Sequence, residues 1–344
     1  MILSPLEKKE FDFFLPYFVN KEEFVGKNFL ITGSKGLTGE GLIKILLFLN
    51  SSFELGLHIF ASTRNPDKIP LYLSKEDPVS FLPFGREKEL LDGQKLDFII
   101  HSAAPTDHHY FIEKPAETIR VIVDETERML DLAKDKKVSS FLYLSSVEAY
   151  GTPDLKTTLN EDYFGAVNQL DIRNCYPLGK KTAEFLCHSY FAEYGVPTKI
   201  VRPSSVQGLF QPYSEDRVYN QILRCVVEHK NLVLNSDGST TKSIVYSMDL
   251  MTALLTVLLK GQNGEAYNIT NPNTYFSVKE TAEFVFKKFA PNLKIEYNIQ
   301  PTSKTGYLPK LCFTQNVEKL VALGWHPLAG LDHIYQVDIE RFSK

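Results

Sequence analysis

Five short apolar runs recur through the first 205 residues: NFLIT, LHIFAST, DFIIHSAA, SSFLYLSS and PTKIVRPS. Each has the length of a β-strand and stops at polar or turn-forming residues. Between them lie segments whose apolar positions recur at helical spacing, above all LTGEGLIKILLFL, PAETIRVIVDETERMLDLAK and YPLGKKTAEFLCHSYFAEYG. Strands that alternate with helices predict an α/β fold with a parallel sheet covered on both faces, because parallel neighbours must be joined by a crossover. Ahead of the first strand, Leu6, Phe11, Phe14, Leu15 and Phe18 mark a short amphipathic helix that caps the core. From about Ser205 the rhythm loosens into shorter elements separated by loops such as QPYSEDR, NSDGSTTK and NPNTYFS. The pattern therefore divides the chain into a helical extension over 1–24, a main domain over 25–205, and a smaller lobe over 206–344 with some segments returning to the sheet.

The 344 residues are enough for about two structural units at roughly 150 residues each. A composition of 43% hydrophobic and 23% charged residues excludes disordered and collagen-like chains. With 38 basic against 42 acidic residues, the net charge of -4 gives no electrostatic ground for binding nucleic acid or an anionic membrane. An anionic small ligand must then be held by local groups. Cys175, Cys187, Cys225 and Cys312 stand far apart without a CxxC pair, so no metal site and no disulfide framework is expected, and a reducing compartment fits. The first residues lack the uninterrupted apolar stretch of a signal peptide, and LIKILLFL and TALLTVLL are too short to cross a bilayer. A cytoplasmic protein is expected.

Candidate chemistry begins directly after the first strand, where Thr32 precedes Gly33, Gly36 and Gly39 in a GxxGxxG turn that opens a helix. Such a turn lets backbone amides approach a pyrophosphate at a helix N-terminus, where free N–H groups and the helix dipole favour negative charge. At the end of the second strand, an acidic residue would accept the adenosine ribose hydroxyls of NAD, whereas a basic residue suits the 2′-phosphate of NADP. Here Ser62, Thr63 and Arg64 come first, and no carboxylate appears before Asp67. The cofactor is read as NAD or NADP, with the balance toward NADP.

Tyr176 and Lys180 stand four apart at the head of a helical segment and so share one face. An ammonium beside a phenol favours the phenolate, which lets tyrosine exchange a proton with a sugar hydroxyl near neutral pH. Thirty residues earlier a strand ends at Ser145 and Ser146, which place a hydroxyl at the reacting oxygen.

These residues resemble the extended short-chain dehydrogenase/reductases of the NAD-dependent epimerase/dehydratase family, over residues 27 to 335. The branch most similar is that of the UDP-glucuronate decarboxylases, through HSAAP, SSVEAYGTP, EDYFGAVN, CYPLGKKTAE, DGSTTKSIVYSMDL, YNITNP and LGWHP in order. The resemblance implies a Rossmann-type doubly wound parallel sheet with a smaller α/β substrate-binding lobe, a nucleotide-diphosphate sugar as substrate, and a homodimer formed through helices 113–135 and 176–194. It implies that Tyr176 acts as base on the sugar C4 hydroxyl, that Lys180 tunes Tyr176 and holds the nicotinamide ribose, and that Ser146 bonds the C4 oxygen. Cofactor contacts are implied for Gly33, Gly36, Leu37, Thr38, Gly39, Ser62, Arg64, Ser102, Ala103 and Ala104. Substrate contacts are implied for Pro105, Glu148, Ser205, Arg217 and Lys242, and Glu148 is counted with Ser146, Tyr176 and Lys180 among the catalytic residues. His101 falls at the end of the fourth strand and lines the nicotinamide cleft, while His108 and His109 enter the sugar site.

Four departures from the family bear on the reaction. Val147 replaces the serine of the decarboxylases and the aspartate of the 4,6-dehydratases, although Glu148 is kept. Cys312, with Lys310 nearby, stands where decarboxylases have an arginine. Ile122 and Glu125 occupy the place of an asparagine and a glycine-threonine pair. A 4-epimerase needs no acid-base group beyond Ser146, Tyr176 and Lys180, so 4-epimerisation through a 4-keto intermediate is the leading expectation. The alternatives are a UDP-glucuronate-type decarboxylase, an NADPH-dependent 4-ketoreductase, and a non-catalytic dinucleotide sensor, the last opposed by the presence of both Tyr176 and Lys180.

Overall fold

The computed structural model describes residues 1–153, 157–299 and 312–343. Its centre is a seven-stranded parallel sheet made of β1 (Asn28–Thr32), β2 (His58–Thr63), β3 (Val79–Pro83), β4 (Phe98–His101), β5 (Ser140–Leu144), β6 (Thr198–Pro203) and β7 (Glu265–Ile269). The spatial order is β7-β6-β5-β4-β1-β2-β3, so the winding direction reverses between β1 and β4. In open α/β sheets the crevice beyond the strand ends at such a reversal is where ligands bind. The doubly wound fold expected from the alternating pattern is present.

Alternate residues of each strand feed two separate cores. Phe29 and Ile31 of β1 join Ile59, Ile100, Leu142 and Val201 in one layer, whereas Leu30 joins Ile99, Phe141, Tyr143 and Ile200 in the other. The first layer is closed by α2 (Leu37–Phe53) and by Met248, Met251 and Leu255 of the helix Ser247–Lys260, the second by α3 (Pro115–Lys136) and α4 (Cys175–Tyr194). Each fully buried aliphatic or aromatic side chain contributes about 1.5–3 kcal/mol. Of the seven strands, β3 and β7 are the two that the apolar runs do not announce.

The extension forms α1 (Pro5–Phe14), which starts at a capping box in which Ser4 and Glu7 bond each other's backbone amides at 3.2 and 2.8 Å. It does more than cover the core. Phe11 meets Phe48 edge-on at 5.3 Å between ring centroids. Glu10, 1% exposed, accepts bonds from the Tyr246 hydroxyl at 2.9 Å and His333 Nε2 at 2.8 Å. That carboxylate holds the His333 imidazole above its usual pKa.

Beyond β6 the chain builds small strand pairs, among them Ser205–Gln207 with Ile244–Tyr246 and Thr241–Lys242 with Phe276–Ser277. It then returns to the main sheet as β7. Among the described residues no helix is long and apolar enough to cross a membrane.

Candidate active site

The glycine turn occupies the β1 side of the crevice. Gly33 has φ +67, and a Cβ there would stand 3.0 Å from the Ala103 backbone at the end of β4. A Cβ on Gly39 would lie 2.3 Å from the Gly33 carbonyl oxygen, so helix and strand close on each other only because both residues lack side chains. Gly36 is different, since the Gly33 oxygen at 3.4 Å is the single atom that its Cβ would meet. As N-cap of α2 it offers no side chain to the first-turn amides of Leu37, Thr38 and Gly39. An uncapped helix start behind an open glycine is a cradle for a pyrophosphate, and the residues present fit a dinucleotide.

On the β4 side, Ser102 donates to the Thr32 carbonyl at 2.6 Å, and Thr32 Oγ1 accepts from the Ala103 amide at 3.2 Å. The Thr32 hydroxyl also meets His101 Nδ1 at 2.7 Å. Burial, with the nearby charges of Lys180 and Arg128, pushes the His101 pKa down to about 3. The imidazole is therefore neutral at physiological pH and, 1% exposed, is buried at the end of β4. Ser62 does not face the crevice as a free hydroxyl. It is fully buried and donates to Glu87, a carboxylate that the sequence reading passed over.

Tyr176 sits in the first turn of α4, Lys180 one turn further on, and Ser146 just beyond β5. The Tyr176 ring stacks on Phe111 with centroids 4.6 Å apart and planes 16° from parallel. Lys180, 2% exposed, donates to the Leu144 carbonyl at 2.7 Å, and its Nζ lies 5.8 Å from the Tyr176 ring centroid. Burial pushes the Lys180 pKa down to about 7. Burial, with the Glu148 charge, pushes the Tyr176 phenol up to about 12, against the bond from Ser146 that lowers it. Withdrawal from water drives both groups toward their neutral forms.

Further along the crevice, Glu148, Val147, Ser205 and Lys242 line one cavity. Beside Glu148 lies Arg173, which no motif had marked. Arg173 precedes α4 in the short helical turn Ile172–Asn174, is 8% exposed, and donates through Nη2 to Glu148 at 3.1 and 3.3 Å and to His108 Nδ1 at 3.1 Å. Its Nε and Nη1 are buried without a protein partner among the described residues, which is costly for a charged donor unless a ligand fills the place. Burial lowers the Lys242 and His108 pKa values, while Glu148 opposes the shift in each. Arg217 is the N-cap of the helix Val218–Glu228, with Nε 3.8 Å from Glu215. Pro105 follows the end of β4 and is half-buried, whereas His109 and Arg64 are exposed. Cys312 lies beside Thr241, its Sγ 3.9 Å from the Ser239 carbonyl, and Lys310 lies outside the described residues. Ile122 packs under Gly179 of α4, and Glu125 pairs with Arg128.

A reversal-point crevice with a glycine turn on one strand and a tyrosine-lysine helix beside it defines a Rossmann-type dinucleotide enzyme. The model of the NAD dependent epimerase/dehydratase family matches residues 29–270, and the chain belongs to that family. It is 32% identical over 237 residues to UDP-glucuronic acid decarboxylase 4 of Arabidopsis thaliana, a match that covers 69% of this chain and 52% of that relative. The match thus spans about half the length of that relative. Among solved structures, UDP-glucose 4-epimerase of Thermotoga maritima superposes with TM-score 0.78 at 18% identity, over 92% of this chain and 98% of that one. UDP-glucuronic acid 4-epimerase of Bacillus cereus, in complex with UDP-glucuronic acid and NAD, gives 0.75 at 20% identity, over 92% and 98%.

Proposed function

We propose that the protein is an NAD(P)-dependent nucleotide-diphosphate-sugar 4-epimerase. The observation that carries this reading is the pairing of Glu148 with Arg173 beside the apolar Val147. Elimination of water from a 4-keto sugar needs a second base and acid at the ring. Val147 can carry no proton, and Glu148 is already engaged as the counter-ion of a buried guanidinium. That leaves Ser146, Tyr176 and Lys180, the set that inversion at C4 requires.

A bound nicotinamide supplies the hydride acceptor and donor. Tyr176 Oη takes the proton of the sugar C4 hydroxyl and later returns it, and Ser146 Oγ holds the reacting oxygen. For that step Tyr176 must be the phenolate and Lys180 the ammonium, so the pair ionises from the neutral forms that burial favours, with the phenol's proton passing to Lys180. Arg217, Lys242 and Ser205 hold the diphosphate, and Phe111 fixes the plane of the Tyr176 ring. The four unpaired cysteines suit a reducing compartment such as the cytoplasm.

The test is incubation with UDP-, dTDP-, GDP- and CDP-hexoses, with products identified by NMR and mass. A C4-inverted sugar of unchanged mass, formed without net loss of dinucleotide, is expected. Loss of water or carbon dioxide would overturn the reading. A second reading, a 4-ketoreductase, is favoured by the exposed Arg64 at the adenosine end, and predicts stoichiometric NADPH oxidation with 4-keto sugars instead.

We also propose a homodimer built on α3 and α4, which pack side by side on the sheet and leave Phe185 69% exposed. Phe185→Glu is expected to turn a dimer into a monomer in sedimentation velocity runs. A wild-type monomer at micromolar concentration would refute the assembly.

A further inference from the structure

We propose that Arg173 is a positioning residue for proton transfer at Tyr176: a permanent cation buried beside the phenol, set by its ion pair with Glu148, it governs how readily Tyr176 gives up its proton. The proposal deepens the reading of Tyr176 as the group that exchanges a proton with the sugar, and rests on it.

Arg173 and Tyr176 are three residues apart on nearly continuous helical backbone, because the turn Ile172–Asn174 runs through Cys175, at φ -55 and ψ -36, into α4. Residues at that spacing share one side of a helix. Phe111, from the helix His108–Glu113, joins the two. Its ring stacks on that of Tyr176 at 4.6 Å between centroids, and the Arg173 guanidinium carbon lies 4.9 Å from the same Phe111 centroid. Cys175, between the two residues, donates its thiol to the Phe111 carbonyl at 3.4 Å. Guanidinium and phenol are thus held against one buried aromatic ring, where a charge is screened less than at the surface.

The groups that face Tyr176 from the elements around it are Tyr143 on β5, Ser146 and Glu148 just beyond it, Lys180 on α4, Arg173, and Arg217 at the start of the helix Val218–Glu228. His108 bonds Arg173, and the Lys242 charge acts on the same Glu148–Arg173 pair. Burial and the Glu148 charge raise the phenol's pKa, while Ser146, Arg217 and Arg173 lower it. The three cations that face the phenol differ in kind. Lys180 is drawn toward its neutral form by burial. Arg217 is 33% exposed and lies against Glu215, so solvent and a partner damp its field. Arg173 stays charged, because a guanidinium does not deprotonate in proteins. It pairs with Glu148 through Nη2 alone, and among the described residues its Nε and Nη1 have no protein partner. Glu148 therefore cancels only part of its charge, and the remainder favours the phenolate.

The test is a pH titration, read by 19F NMR, of the full chain carrying Tyr176→3,5-difluorotyrosine; fluorination lowers the phenol's pKa and brings its titration into the range where the protein stays folded. Added to that chain, Arg173→Gln is expected to raise the midpoint by about one pH unit. Arg173→Lys should return most of the shift, and Glu148→Gln, which removes the opposing charge, should lower the midpoint by a similar amount. Loosened packing alone would admit water and lower the midpoint in both neutral variants, so the opposite signs separate charge from structure. Glu148→Gln keeps the shape of its side chain and decides the question if Arg173→Gln does not fold. A midpoint that either variant leaves in place, or moves the other way, overturns the proposal. The titration needs no sugar, so a chain inactive on the whole sugar panel would remove the epimerase reading and leave this result untouched. Unchanged turnover in Tyr176→Phe would take the residue out of the mechanism, and this proposal with it.

Discussion

Tyr176→Phe is expected to lower turnover by about a thousandfold, within the range by which a placed acid-base group accelerates proton transfer. The substitution removes one oxygen and keeps the ring, so the stack on Phe111 at 4.6 Å survives and α4 keeps its packing. What is lost is the atom that the proposed mechanism has exchange a proton with the sugar, together with the partner of Ser146. Steady-state kinetics with the sugar found active in the panel, alongside equilibrium binding of the nucleotide sugar, separates the two contributions. Affinity should change by less than about tenfold while kcat collapses, since a hydroxyl that works mainly in the transition state contributes little to ground-state binding. Turnover within tenfold of wild type would remove Tyr176 from the mechanism.

The second large effect is on stability. Arg202 on β6 meets Glu184 on α4 through a fork, Nε to Oε1 at 3.0 Å and Nη2 to Oε2 at 2.7 Å, with side chains only 11% and 9% exposed. Its third branch donates to the Glu161 carbonyl at 2.8 Å, its guanidinium lies 4.7 Å from the Tyr150 ring centroid, and Glu184 also accepts from Ser145. Arg202→Ala leaves that carboxylate buried and unmatched, which costs about 3–5 kcal/mol. That is a large share of the 5–15 kcal/mol by which domains are stable. The double change Arg202→Met with Glu184→Leu removes both charges and should recover most of the loss. Urea unfolding of the three proteins checks this, and a single-variant loss under about 1 kcal/mol would show that the fork contributes little. Because Glu184 raises the pKa of Lys180, the double variant, which removes that carboxylate, should lower the Lys180 pKa further and shift the pH dependence of turnover downward.

What could be read from the chain was whatever rests on local pattern. Strands β1, β2, β4, β5 and β6 are apolar runs because both of their faces are covered. β3 escapes that rule: at the sheet edge only Leu82 of its five residues is buried, so its sequence VSFLP carries no continuous apolar signal. β7, spelled EAYNI, begins on an exposed glutamate and includes Asn268, which bonds Tyr150, Leu159 and Asn316. The glycine turn and the tyrosine-lysine pair were readable because their spacing is their chemistry. Arg173 was not, since its partners Glu148 and His108 lie 25 and 65 residues away and meet it only once α4 has docked. Glu87 was hidden for the same reason: its hold on Ser62 depends on the parallel register of β2 and β3. The lowered pKa of Lys180 and the raised pKa of Tyr176 likewise come from burial, which no i to i+4 spacing reports.

The contact between α1 and the rest of the molecule has a consequence for how the chain is made. Glu10 finds its two partners 236 and 323 residues further along. A ribosome working from the N-terminus therefore delivers a helix with three phenylalanines and a carboxylate destined for burial long before Tyr246 and His333 exist. Until then the apolar face of α1 can rest on Phe48 of α2, but its glutamate cannot be satisfied, because long-range contacts form only after the intervening chain is ordered. Made well before its partners, α1 is thus locked late. Its docking ties it to the helix Leu331–Phe342 as a late step of folding.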